Sequence, residues 1–293
     1  MALESPFPPE NLGLYCLPSI STRYRQREAS IQPISDALAA LASGRRGNYL
    51  AFFPSYAYLR QVWEDFTTRY PGIDTLVQES GLDDARRAAF LGRFSPRPEK
   101  TLLGFGVMGG IFGEGVDLVG DRLIGCAIVG VGLPQVNPRQ EILRRYYDEA
   151  GGTGFDYAYR FPGMNKVLQA AGRVIRTQED RGVVLLLDDR FARAEYTRLF
   201  PRHWHQLQYL RSTTELEQQL AAQAKDFSAR QDAVAQQNYA AIRSVSETLQ
   251  TAVQGMSTTL GQGQDSQQRI LEQRLRSLEQ ANTCLLYTSP SPR

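Results

Sequence analysis

Short apolar runs alternate with helix-length amphipathic stretches from residue 1 to about 212, and this alternation narrows the possible folds more than any other feature. The runs are Asn48–Phe53 (NYLAFF), ended by Pro54; Ile73–Gln78 (IDTLVQ); Thr101–Val107 (TLLGFGV); Leu123–Val131 (LIGCAIVGV); and Gly182–Leu187 (GVVLLL), followed by Asp188 and Asp189. Leu12–Leu17 (LGLYCL) is a candidate sixth. Several are apolar throughout, which suits strands covered on both faces. Helices are expected between them, at 31–43, 56–69, 83–94, 138–149, 164–177 and 190–199. The pattern predicts an α/β domain with a doubly wound, mainly parallel sheet. In such sheets ligands bind beyond the carboxyl ends of the strands, so chemistry is expected in the loops that follow them.

Past residue 212 the character changes. Residues 213–282 are rich in Gln, Ala and Ser and contain no proline, which predicts a helical tail. Ile242, Val245, Leu249, Ala252 and Met256 follow a 3-4-3-4 spacing, the seam of a short coiled coil. Gly255, Gly261 and Gly263 interrupt it, and Ile270, Leu271, Leu275 and Leu278 suggest a further helix. A frayed or partner-dependent helix fits the same residues. Residues 283–293 fit nothing before them; CLLYTSPSPR resembles a translated sequencing adapter and is set aside, with Cys284, as non-native.

Bulk properties exclude several classes. No apolar run approaches the ~18–20 residues of a membrane span, and MALESPFPPE lacks the basic start and apolar core of a secretory signal. A cytoplasmic protein with no membrane partner is the expectation. The three cysteines, Cys16, Cys126 and Cys284, lie far apart with no metal-type spacing, so no metal site is expected. The net charge is only +2, so any nucleic-acid binding must come from local placement of charge. Lysines number three among 33 basic residues; an arginine-lined phosphate groove and an arginine-favouring genome both account for that.

Two segments carry the chemistry. On an ideal helix over 164–177, Lys166, Gln169, Arg173 and Arg176 fall within one arc of about 80°, with Val167, Leu168, Ala171, Val174 and Ile175 opposite. Paired guanidiniums suit charge building on a transferring phosphoryl group. A solvated surface helix would give the same pattern. The second segment, Gly109 to Gly120 (GGIFGEGVDLVG), follows the third strand with five glycines and the acids Glu114 and Asp117. There the backbone can approach a phosphate or sugar, although a purely structural turn also fits.

Taken together, the segments resemble a known family. Gln169-x-x-Gly172-Arg173-x-x-Arg176 matches the QxxGRxxR of motif VI in superfamily 2 helicases, and Phe112-Gly-Glu114-Gly115-Val-Asp117 resembles motif V in its DinG/XPD branch. Leu50–Ser55 before Tyr56 resembles that branch's motif IV. Ser5-Pro6-Phe7 and Ser21–Arg25 resemble the start of its second motor domain, and Arg181–Phe191 the strand after motif VI. The resemblance covers residues 5–200 in the correct order. It implies a second RecA-like helicase domain (1–212), the helical tail (213–282) and the adapter-like end (283–293).

By the same resemblance, Arg173 and Arg176 would be arginine fingers, Gln169 would orient them or contact the nucleotide, and Gly172 would lie beside the nucleotide. Glu114, Gly115 and Asp117 couple nucleotide state to the domain interface, while Phe53, Ser55 and Tyr56 lie near the single-stranded DNA track. ATP and Mg2+ would be held mainly by a first RecA-like domain, because this sequence has no GxxxxGK[ST] and no DEAH-type box. The chain is then expected to be part of a longer protein or a split subunit, inactive by itself. Arg45, Arg46, Arg86, Arg87, Arg93 and Arg97 are further candidates for phosphate contacts. Trp63 and Phe66 read as core, and His203 and His205 as structural. Two other classes compete: a non-catalytic DNA- or protein-binding domain with an oligomerising tail, and a Rossmann-type enzyme, disfavoured by the lack of GxGxxG.

Overall fold

A computed structural model describes residues 7–81, 83–109 and 118–287, without the side chains of 231, 257–266 and 281–287. Seven parallel strands form one sheet in the order β3-β4-β2-β5-β6-β1-β7. They are β1 (Leu12–Cys16), β2 (Asn48–Phe53), β3 (Asp74–Val77), β4 (Leu102–Val107), β5 (Gly125–Val129), β6 (Gly182–Leu187) and β7 (Gln208–Tyr209). The helices of the domain are α1 (Arg27–Gly44), α2 (Tyr56–Arg69), α3 (Asp84–Gly92), α4 (Pro138–Glu149), α5 (Phe161–Ala171) and α6 (Ala194–Thr197).

The all-apolar runs are buried on both sides. Tyr49, Ala51 and Phe53 of β2 join a core with residues of α1 and α2, such as Leu38 and Val62. The alternate residues Leu50 and Phe52 join the opposite core, with Phe90 from α3 and Val167 from α5. A period of two over a run without polar residues is what a strand between two helical layers requires.

Helix starts follow capping chemistry. The side chains of Ser55, Asp83 and Asn137 accept hydrogen bonds from the backbone N–H of Tyr58, Arg86 and Gln140, at 3.4, 2.8 and 3.0 Å. Each satisfies a donor that the first helical turn leaves without a partner. Pro138 fills the first position of α4, where no N–H is needed.

The candidate run Leu12–Leu17 supplies β1, Leu12–Cys16, between β6 and β7 in the sheet, while β7 is too short to leave a periodic trace in sequence. The stretch expected as a helix at 190–199 divides into a 3-10 turn (Asp189–Ala192) and α6. The tail helix α7 is Thr213–Tyr287. Its first turns belong to the compact unit, which runs to Ser228: Leu216, Leu220 and Phe227 are buried, and Arg181 donates to the carbonyl of Phe227 at 3.0 Å. Residues 229–293 form a second unit. Among the described residues, no helix is long and apolar enough to cross a membrane.

Candidate functional site

Two groups of candidate residues lie at opposite edges of the sheet. At the carboxyl edge, β2 ends at Phe53, followed by Pro54, the cap Ser55 and Tyr56, the first residue of α2. Tyr56 is 39% exposed. Its hydroxyl accepts a hydrogen bond from Nε2 of Gln78 at 2.9 Å, and Oε1 of Gln78 accepts one from the N–H of Val107 at 2.8 Å. Gln78 is buried, so it ties the start of α2 to the ends of β3 and β4. A recess of about 220 Å³ lies beside this group, lined by Tyr56, Arg60, Val77, Gln78 and Ser80.

Phe53 does not share that surface. Its ring has no exposure and packs against Phe105 at 5.9 Å and Tyr58 at 6.0 Å between centroids. The expected nucleic-acid contact is corrected for this residue: an inward-facing strand position buries the ring in the core, where no base can stack on it. Trp63 is half-buried against the core, its indole N–H donating to Thr75 at 3.1 Å, and Phe66 is fully buried. Gln78 was missed by sequence reasoning; a lone amide closing the apolar run IDTLVQ is the signal that could have found it.

The segment after β4 that carries Glu114, Gly115 and Asp117 lies outside the described residues. Gly109, just before that segment, has φ +68°, and a Cβ there would come within 3.0 Å of the Lys166 side chain. The first half of α5 therefore lies along the carboxyl edge. Gly163 confirms the close approach, since a Cβ there would sit 2.6 Å from the carbonyl oxygen of Val131, after β5.

From there α5 runs back toward the amino edge and ends at Ala171. Gly172 is its C-cap, its N–H bonded to the carbonyl of Leu168 at 2.9 Å. Arg173 and Arg176 follow in a non-helical turn, which corrects the expectation of one helix over 164–177 with Lys166, Gln169, Arg173 and Arg176 on one face. The physical reason is local competition. Asp180, buried, accepts hydrogen bonds from the N–H groups of Arg176 and Thr177, both at 2.8 Å, and its own N–H donates to the Thr177 hydroxyl at 3.2 Å. That turn replaces the helical pattern in a stretch already weakened by glycine and by β-branched Val174 and Ile175.

Val174 is buried, anchoring the turn, while Gln169 and Gly172 are exposed and both arginines are half-buried. The turn precedes β6, and the Asn11 side chain, just before β1, donates to the carbonyl of Gln178 at 2.8 Å. Arg173 and Arg176 therefore sit toward the amino edge, about 20 Å from the carboxyl edge by the rise of a six-residue strand. The expectation that all the chemistry follows the carboxyl ends of strands holds for Ser55 and Tyr56 alone among these described residues.

The segments flanking the motifs meet as well. Asp188, after β6, is fully buried and accepts from the backbone N–H of Thr22 at 3.2 Å, from the Thr22 hydroxyl, and from Arg190 at 2.7 and 2.9 Å. Its neighbour Asp189 binds Ser21 at 3.1 Å, Arg23 at 3.2 Å and Arg193 at 2.8 Å. The Ser21–Arg25 segment is thus clamped to the end of β6. Arg45, Arg46 and Arg97 line a cleft of about 340 Å³ with Gly47 and Asp121, before β2, β4 and β5. Those three arginines are at the amino edge and cannot share a track with Tyr56.

The family model for the helicase C-terminal domain matches residues 38–207. The chain belongs to this family. A probable ATP-dependent helicase from Methanocaldococcus jannaschii is 28% identical over 214 residues, 66% of this chain and 31% of the relative. The DNA helicase DinG of Photobacterium profundum is 28% identical over 200 residues, 67% of this chain and 28% of the relative. An apo XPD structure matches with a TM-score of 0.55 at 20% identity, covering 68% of this chain and 40% of that one. This helicase C-terminal domain is therefore of the DinG/XPD-like superfamily 2 type with a RecA-like fold, and it spans about a third of the length of the first two relatives.

Proposed function

We propose that this chain is the C-terminal motor half of an ATP-dependent DNA helicase. Arg173 and Arg176 act as arginine fingers on the γ-phosphate of ATP held, with Mg2+, mainly by a first RecA-like domain; Gln169 orients them, and the exposed Gly172 leaves room for the nucleotide. Single-stranded DNA passes the carboxyl edge at Ser55 and Tyr56. Glu114, Gly115 and Asp117 couple the two events on the strength of the motif alone. The chain by itself hydrolyses no ATP, because its sequence offers no GxxxxGK[ST] to cradle the β- and γ-phosphates.

The observation that supports this reading is the separation of the two groups on one sheet. The arginines of motif VI lie in the turn before β6, and Ser55 and Tyr56 follow β2, so a single rigid layer can touch a nucleotide at one edge and a strand at the other. Closure of the cleft on ATP then displaces the DNA-bound edge as a body.

The DNA half of the proposal is tested with this chain directly. Binding of a fluorescent oligothymidylate should weaken steeply with salt, as phosphate neutralisation requires. Tyr56→Ala should cost about tenfold in affinity, the scale of one lost base–aromatic contact. Affinity that ignores both salt and Tyr56→Ala would place the strand elsewhere.

A further inference from the structure

The second unit carries a surface that the motor reading does not use. Among the described side chains of 229–278 the large hydrophobics are 50–75% exposed, from Val234 through Ile242, Leu249 and Met256 to Leu271 and Leu278. At 100° per residue all of them fall within one arc of about 140°. The other charged residues of 229–281 project to the remaining face, with Arg243 bonded to Glu247 at 2.9 Å along it, while Arg274 projects into the apolar arc. Among the described side chains the apolar arc holds over 234–256 and again over 270–278, where Arg274 interrupts it. Eleven large apolar side chains on one arc, each at least half exposed, exceed the single scattered hydrophobics that a monomer ordinarily shows.

We propose that this stripe is a self-association surface and that its occupant is the same stripe of a second copy of this chain. The charge pattern selects a protein over a lipid surface. Residues 229–281 hold five arginines, no lysine and five acids, so the segment has no net positive charge for anionic headgroups. The same balance means that two copies do not repel. Ile242, Val245, Leu249, Ala252 and Met256 supply the 3-4 spacing that lets two such helices interlock. The inference stands apart from the helicase reading, since none of these residues belongs to motifs IV, V or VI.

The test is sedimentation equilibrium of the full chain from low to high micromolar concentration, beside the double variant Ile242→Asp, Leu249→Asp and the opposite-face control Arg243→Gln. The chain and the control should reach the mass of two chains, and the double variant should associate at least a hundredfold more weakly. Its substitutions are at exposed positions outside the compact unit, so thermal unfolding of that unit should be unchanged. A chain that stays monomeric throughout, or a dimer that survives the double variant, would overturn the proposal. Flotation with phosphatidylcholine–phosphatidylserine vesicles by a chain that does not dimerise would assign the stripe to a lipid surface instead.

Discussion

Phe53 illustrates how a motif position can serve the fold rather than the ligand. It closes β2 with its ring between Phe105 and Tyr58, while the next two side chains along the chain after Pro54 reach the surface. Phe53→Ala should therefore cost about 3–5 kcal/mol of stability through the cavity it leaves. A urea midpoint measurement checks this, and DNA affinity of the folded fraction should not change. An unchanged midpoint with lost DNA binding would return the ring to the track. The buried thiols obey the same logic. Burial, and then the Asp188 carboxylate, push Cys16 up to about 12, and burial raises Cys126 as well. Thiolate is the reactive form. With Cys284→Ser, a disulfide reagent at mildly alkaline pH should detect no thiol until denaturant is added; prompt reaction of the native protein would contradict the placement of these two strands.

The turn after α5 is where local chemistry overrode periodicity. Asp180→Ala leaves the N–H groups of Arg176 and Thr177 without their acceptor and should cost about 1–3 kcal/mol. The loss is read from the urea midpoint, and an unchanged midpoint would mean that the turn does not depend on this carboxylate. The inner strands were legible in sequence because β4, β5 and β6 are unbroken apolar runs and β2 is nearly so, with Pro54 and the Asp188–Asp189 pair closing β2 and β6. The end of α5 was not legible in the same way. Val174 and Ile175 continue the apolar rhythm of the helix, and only the Thr177–Asp180 spacing signals the turn that ends it. Ser55 and Tyr56 were readable as a cap and a helix start. Gln78, whose partners lie 22 and 29 positions away in sequence, was not, because long-range hydrogen bonds leave no periodic mark.

For the whole molecule, the parallel sheet sets two working edges apart and keeps them in register. The Asp188–Arg190 network clamps the Ser21–Arg25 segment to the end of β6, so the loop after β1 moves with the sheet. The central claim is that Arg173 and Arg176 act on a nucleotide held by another domain, and it is tested most directly by turnover in the chain joined to the first motor domain of a DinG relative. DNA-stimulated ATP hydrolysis should appear in the joined protein. Arg173→Ala or Arg176→Ala should lower its rate by about 10³-fold or more while single-stranded DNA binding survives. Near-normal hydrolysis in both variants would contradict the finger assignment and favour a binding domain without a catalytic part.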